Sequence, residues 1–172
     1  MKRLIPLFLI FFATFYAEYM PAFELKELDS SEKTRSADLF RNEVSIVIFW
    51  NTHCDECIES LDELFAMQKE FAKASIPIVT VNFDLIEDID YARQVAEKSP
   101  YRVLRDNSGD IAKAWGADDY SFSGFILGQD GVVRKKLTHL AVELCRERLV
   151  GGDDQSWALG RGDDIGHGEC LS

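Results

Sequence analysis

The tightest constraint on this chain is the run Val44-Ser45-Ile46-Val47-Ile48-Phe49-Trp50, which feeds through Asn51-Thr52-His53 into Cys54-Asp55-Glu56-Cys57. A stretch this rich in β-branched and aromatic residues predicts a strand buried on both faces. Beyond the cysteines, apolar residues recur at Ile58, Leu61, Leu64, Phe65, Met67 and Phe71, the spacing of one helical face, and predict a helix ending near Ala74. A doubly buried strand followed at once by a helix demands a sheet with partners on either side and helices over it.

The rest of the chain supplies those partners. Phe23 to Leu28 alternates like a half-buried strand, and Ser36 to Phe40 predicts a short helical turn. After Pro77, Ile78 to Phe83 predicts a strand, and Ile86 to Lys98 a second helix stopped by Pro100. Tyr101 to Leu104 reads as a short strand and Gly109 to Trp115 as a short helix ending at Gly116. Gly124 to Leu127 and Val132 to Lys136, joined through Gln129-Asp130-Gly131, form a hairpin signal, and Thr138 to Val150 a closing helix. The order β-α-β-α-β, then hairpin, then helix, predicts an α/β domain with a central mixed sheet flanked by helices on both faces.

The ends differ from this middle. Lys2 and Arg3 precede an apolar run from Leu4 to Ala17, the length of a signal h-region and shorter than the ~20 residues that span a bilayer. Residues 1–17 are therefore expected to be a signal peptide or an N-terminal anchor, residues 18–150 the folded domain, and residues 151–172, rich in Gly and Asp, a disordered tail. The formal charge is −11, and loss of residues 1–17 leaves 17 basic against 30 acidic side chains, a net −13. Such a surface repels nucleic acid and anionic lipid, so neither is an expected partner, and membrane contact is expected only if the N-terminal segment is retained.

Four cysteines are present, Cys54, Cys57, Cys145 and Cys170, and sequence alone does not fix whether the last two pair. A C-x-x-C can be half of a zinc site, but no second paired set of ligands accompanies it, and His53, His139 and His167 are scattered. Its place at the start of a helix gives it another chemistry. Unpaired N–H groups and the positive end of the helix dipole stabilise a thiolate at the first cysteine. A second thiol one turn on can then attack the resulting mixed disulfide. This assigns Cys54 as nucleophile and Cys57 as resolving residue, with no cofactor and no metal site.

The segment Phe49-Trp50-Asn51-Thr52-His53-Cys54-Asp55-Glu56-Cys57 resembles the FWATWCxxC signature of the thioredoxin superfamily. Pro21-Ala22-Phe23-Glu24-Leu25 resembles the PDFTL opening strand of the exported TlpA/ResA-like branch. Asp106 to Gly116 is similar to its DPDGxVAKAYG, and Phe125 to Gly131 to its FLIDRDG. The match covers about residues 21–150. It implies a thioredoxin-like fold and a periplasmic thiol–disulfide oxidoreductase acting on protein disulfides or dithiols. It also implies reduction of apocytochrome c or other periplasmic disulfides, with a membrane electron donor of the DsbD/CcdA type.

Three features depart from that pattern. The family's cis-proline opposite the dithiol falls on Phe122, within Ser121-Phe122-Ser123, and none of the prolines (Pro6, Pro21, Pro77, Pro100) lies there. A cis bond before a non-proline residue costs about 3–4 kcal/mol, so this substrate-facing loop is expected to be trans. Second, Asp55 and Glu56 put two carboxylates beside the sulfur, which should raise the Cys54 pKa and make the couple more reducing. His53 opposes them only when protonated, and at its ordinary pKa it is mostly neutral at pH 7. Third, Ile48 stands where cytosolic thioredoxins carry a buried Asp. Asp84 is the nearest replacement, with a loop or helix-capping carboxylate as its other reading. The absent proline also keeps open a metal-binding module using Cys54, Cys57 and His53, and a non-catalytic adaptor.

Overall fold

The computed structural model describes residues 19–39, 44–117 and 119–138. The expected N-terminal segment, the closing helix, the tail, and His139, Cys145, His167 and Cys170 lie outside these. In chain order the described elements are β1 (Glu24–Glu27), β2 (Lys33–Arg35), α1 (Ser36–Leu39), β3 (Ser45–Trp50), α2 (Asp55–Ala66), α3 (Gln68–Lys73) and β4 (Ile78–Asn82). A 3₁₀ turn (Ile86–Asp88), α4 (Ile89–Ala96), β5 (Arg102–Arg105), α5 (Asp110–Ala114), β6 (Ser123–Leu127) and β7 (Val133–Leu137) follow. Among the described residues no helix is long and apolar enough to cross a membrane.

The strands form one sheet in the order β2-β1-β5-β4-β3-β6-β7. β3 lies near its middle, parallel to β4 (Ile46 opposite Ile78, Trp50 opposite Asn82) and antiparallel to β6 (Ser45 opposite Leu127, Phe49 opposite Ser123). Every residue of β3 is buried, which fulfils the expectation from its composition. The two-residue period of the strand divides its side chains between two cores. Ile46, Ile48 and Trp50 join Leu61 and Leu64 of α2, Phe71 of α3, and Ile89, Ala92 and Val95 of α4. Val47 and Phe49 join Phe23 and Leu25 with Ala112 and Trp115 on the opposite face. There the Trp115 ring centroid lies 5.0 Å from Phe49 and 5.1 Å from Phe125. This is a thioredoxin-like fold with helices on both faces, as the order of elements predicts.

Three local readings change. The single helix expected to Ala74 is broken at Met67, which ends α2 and starts α3; neither proline nor glycine marks the place, so periodicity runs straight through it. The expected helix from Ile86 begins as the 3₁₀ turn. The strand β2, Lys-Thr-Arg, has no apolar run to announce it and forms by pairing with β1 at the sheet edge. The Asp-Gly hairpin between β6 and β7 is present, with Gly131 at φ 73° and Asp130 Oδ1 accepting from Val132 N at 3.2 Å.

Gly124 in β6 is required by packing rather than by backbone conformation. A Cβ there would stand 3.1 Å from Cε1 of Phe122 and 3.2 Å from Cδ1 of Leu137. Both neighbours are core side chains, and the first shares its cluster with the two cysteines. Gly124→Ala should therefore destabilise the domain by about 1–3 kcal/mol, the usual cost of overpacking. Urea denaturation checks this; an unchanged midpoint would show that Phe122 yields freely.

Candidate active site

Cys54 and Cys57 form a disulfide with their Cα atoms 5.2 Å apart. Cys54 is the N-cap of α2, in extended conformation at φ −102° and ψ 96°. Its Sγ accepts from Cys57 N at 3.1 Å, and its carbonyl accepts from Cys57 N and Ile58 N at 3.0 and 3.2 Å. A sulfur in the N-cap position takes the place of the oxygen that a serine or aspartate would offer to the first-turn amides. That arrangement, with the dipole behind it, favours negative charge on Cys54. Both cysteines are buried, at 2% and 1% exposure, in the cluster that holds Trp50, Ile48 and Phe122.

The link from β3 to α2 is fixed from both sides. Asn51 Oδ1 accepts from His53 N at 3.0 Å, a local turn that aims the chain at Cys54, while Asn51 Nδ2 donates to the Asp119 carbonyl at 3.0 Å. Asp84, just beyond β4, is 2% exposed. Its Oδ1 accepts from Thr52 N at 2.9 Å and Thr52 Oγ1 at 3.0 Å. Its Oδ2 accepts from Asn82 Nδ2 at 2.7 Å and from Thr52 N at 3.1 Å. These bonds tie the end of β4 to the residue two before the dithiol, and Phe83 N donates to the Trp50 carbonyl at 3.1 Å alongside. Ile48 is fully buried among apolar side chains, so β3 offers no carboxylate. The hydrogen bonds of Asp84 are those of its loop-anchoring reading.

His53 is exposed, with Nε2 3.0 Å from Asp88 Oδ2. The hydrogen bond to Asp88 raises the His53 pKa above its ordinary value, and the charges of Asp88 and Asp84 add to it. Its cationic form is therefore more populated near neutrality than the free residue would suggest, directly before Cys54. Asp55 is exposed and Glu56 half-buried in the first turn of α2. In the loop opposite, Ser121 is half-buried while Phe122 and Ser123 are buried, Ser123 as the first residue of β6. The described residues contain no cis peptide bond, in line with the trans loop expected there.

The sequence reading misses Thr52, Asn82 and Asp88. A polar pair, Asn82 and Asp84, closing an otherwise apolar strand was the available signal for the first two. Asp88 sits inside a run of acidic residues and has no distinguishing mark until the fold brings it to His53.

Asp84→Asn should cost about 1.5–3 kcal/mol, because an amide cannot accept from Thr52 and Asn82 together through both terminal atoms. Thr52→Val should cost about 1 kcal/mol through the lost hydroxyl bond. Chemical denaturation of the oxidised protein measures both, and equal stability of all three proteins would contradict the anchoring role. The His53 imidazole should titrate above the ordinary value of about 6.5 and move back toward it in Asp88→Asn. Its stabilising pair with Asp88 is fully present below that unfolded-state value and is lost as pH rises through the raised one; NMR titration of the ring reads the shift.

Comparison with solved structures gives the same fold. A protein designated thiol:disulfide interchange protein DsbE from Chlorobium tepidum is similar at 20% identity and a TM-score of 0.64, over 77% of this chain and 93% of that one. The thioredoxin domain of a thiol-disulfide oxidoreductase from Bacteroides vulgatus matches at 17% identity and TM-score 0.64, over 78% and 97%. Peroxidoxin BcpB from Mycobacterium tuberculosis matches at 18% and 0.60, over 71% and 84%. No curated protein matches the sequence. The AhpC/TSA family profile matches residues 17–136, spanning β1 to β7 and the dithiol, and the chain belongs to that family of the thioredoxin superfamily.

Proposed function

We propose that this chain is an exported thiol–disulfide oxidoreductase that reduces protein disulfides in the periplasm. The observation that carries the reading is the Cys54–Cys57 disulfide seated at the start of α2, with Cys54 as its N-cap. In the reduced form, the Cys54 thiolate attacks one sulfur of a substrate disulfide. The substrate S–S bond breaks, one substrate thiolate leaves and takes up a proton, and a mixed disulfide with Cys54 remains. Cys57, losing its proton, attacks Cys54 Sγ, forms the intramolecular disulfide and releases the second substrate thiol. Two electrons pass to the substrate, so each turnover needs a dithiol donor. A membrane donor of the DsbD/CcdA type fits the resemblance, as does service to cytochrome c maturation.

Residues 1–17 support the location, as a cleaved signal or a retained anchor; residues 18–150 would then form the working domain and 151–172 a solvated tail. Asp55 and Glu56 support the reducing direction, since like charge beside the nucleophile disfavours its thiolate and hence favours the disulfide. His53 with Asp88 works against them. The loop at 121–123 would meet the substrate through its backbone and Ser121, because the side chains of Phe122 and Ser123 face the interior of the fold.

Cys57→Ser should accumulate a mixed disulfide with its substrate at Cys54, identifiable by mass spectrometry, whereas Cys54→Ser should accumulate none. Trapping at neither cysteine would overturn the reading. The double variant Asp55→Asn/Glu56→Gln should make the couple more oxidising against glutathione, because it removes the like charge that disfavours the Cys54 thiolate. A wild-type potential already near that of DsbA would sink the reductase direction.

A further inference from the structure

One cluster beside the dithiol contains neither sulfur and forms no bond in the exchange chemistry. One ring nitrogen of His53 and one carboxylate oxygen each of Asp84 and Asp88 lie within 4.8 Å of one another. They come from three stretches of chain: the link before α2, the end of β4, and the turn into α4. We propose that His53, Asp84 and Asp88 form a binding site for a single divalent transition-metal cation, independent of the two sulfurs.

The donor set suits a borderline cation. One imidazole and two carboxylates provide two negative charges and a nitrogen, the ligand types zinc accepts at about 2.0–2.2 Å, with a fourth position left for water. Donors on such a tetrahedron stand about 3.3 Å apart. His53 and Asp88 are already at 3.0 Å, so small shifts bring the three to that spacing. Ligating carboxylates are characteristically held by hydrogen bonds from outside the metal's own ligands. Asp84 has that support, from Thr52 and Asn82, and being buried it cannot swing away. His53 and Asp88 are the accessible members, at 65% and 30% side-chain exposure, and they leave an entrance for the ion and its water. Binding exchanges the His53–Asp88 hydrogen bond for two metal bonds, and the net charge of −11 favours cation approach.

The site is separable from the thiols because it persists in the disulfide form. Zinc chloride is titrated calorimetrically into the fully oxidised full-length chain carrying Cys145→Ser and Cys170→Ser, so that no free thiol remains. One zinc per chain is expected. His53→Ala and Asp88→Asn should each weaken binding by at least about tenfold, and the two together should abolish the saturable phase. Both positions are solvent-accessible, and circular dichroism of each variant verifies the fold. Absence of saturable binding, or unchanged affinity in either single variant, would overturn the proposal. Neither result bears on disulfide exchange, which the trapping experiment decides.

Discussion

The burial of β3 is the constraint on which the rest of the molecule depends. A strand whose six residues are all covered must have a core on each face and a hydrogen-bonded neighbour on each edge. Those four requirements place α2, α3 and α4 on one side, α5 with the side chains of Phe23 and Leu25 on the other, β4 along one edge and β6 along the other. The position of the dithiol follows. The chain leaves β3 at Trp50 with its direction already set, and only three residues separate that point from the N-cap of α2.

Those three residues are held by polar groups that belong to the neighbouring strand ends. Asp84 carries the larger share, since one buried carboxylate satisfies both the amide and the hydroxyl of Thr52 and the amide of Asn82. A buried carboxylate left without such partners would be strongly destabilising, whereas here it exchanges water for three donors. The backbone bond from Phe83 N to the Trp50 carbonyl runs beside it. The sulfurs sit at a helix start that is anchored independently of either cysteine.

Much of this was legible in the sequence, for physical reasons that can be stated residue by residue. The seven-residue run at 44–50 could only be a buried strand, and Cys54 could only follow it closely. Asp130-Gly131 announced its hairpin because the glycine adopts a left-handed conformation there. The role of Asp88 was illegible because it depends on a partner 35 residues away, and that of Thr52, 32 residues from Asp84, showed only indirectly in the polar pair that closes β4. The edge strand β2 was missed for a similar reason, as it forms by pairing with β1 and its one buried side chain, Thr34, is polar. The break at Met67 leaves no compositional trace at all.

The contacts that shape the site divide unequally along the chain. Most of the hydrogen bonds that orient Cys54, from Trp50 to Asp88, belong to one contiguous β-α-β segment and the turn after it. The facing loop before β6 enters from some 70 residues downstream and reaches this segment through Asn51 and the Asp119 carbonyl. Such an arrangement puts the reactive pair and the loop that covers it in separate stretches of the chain. The two meet in the cluster where Phe122 packs with both cysteines, in a chain with no proline after residue 100. For protein engineering, any change to residues 119–123 has to keep the Phe122 side chain that packs with both cysteines and the Asp119 carbonyl that Asn51 meets.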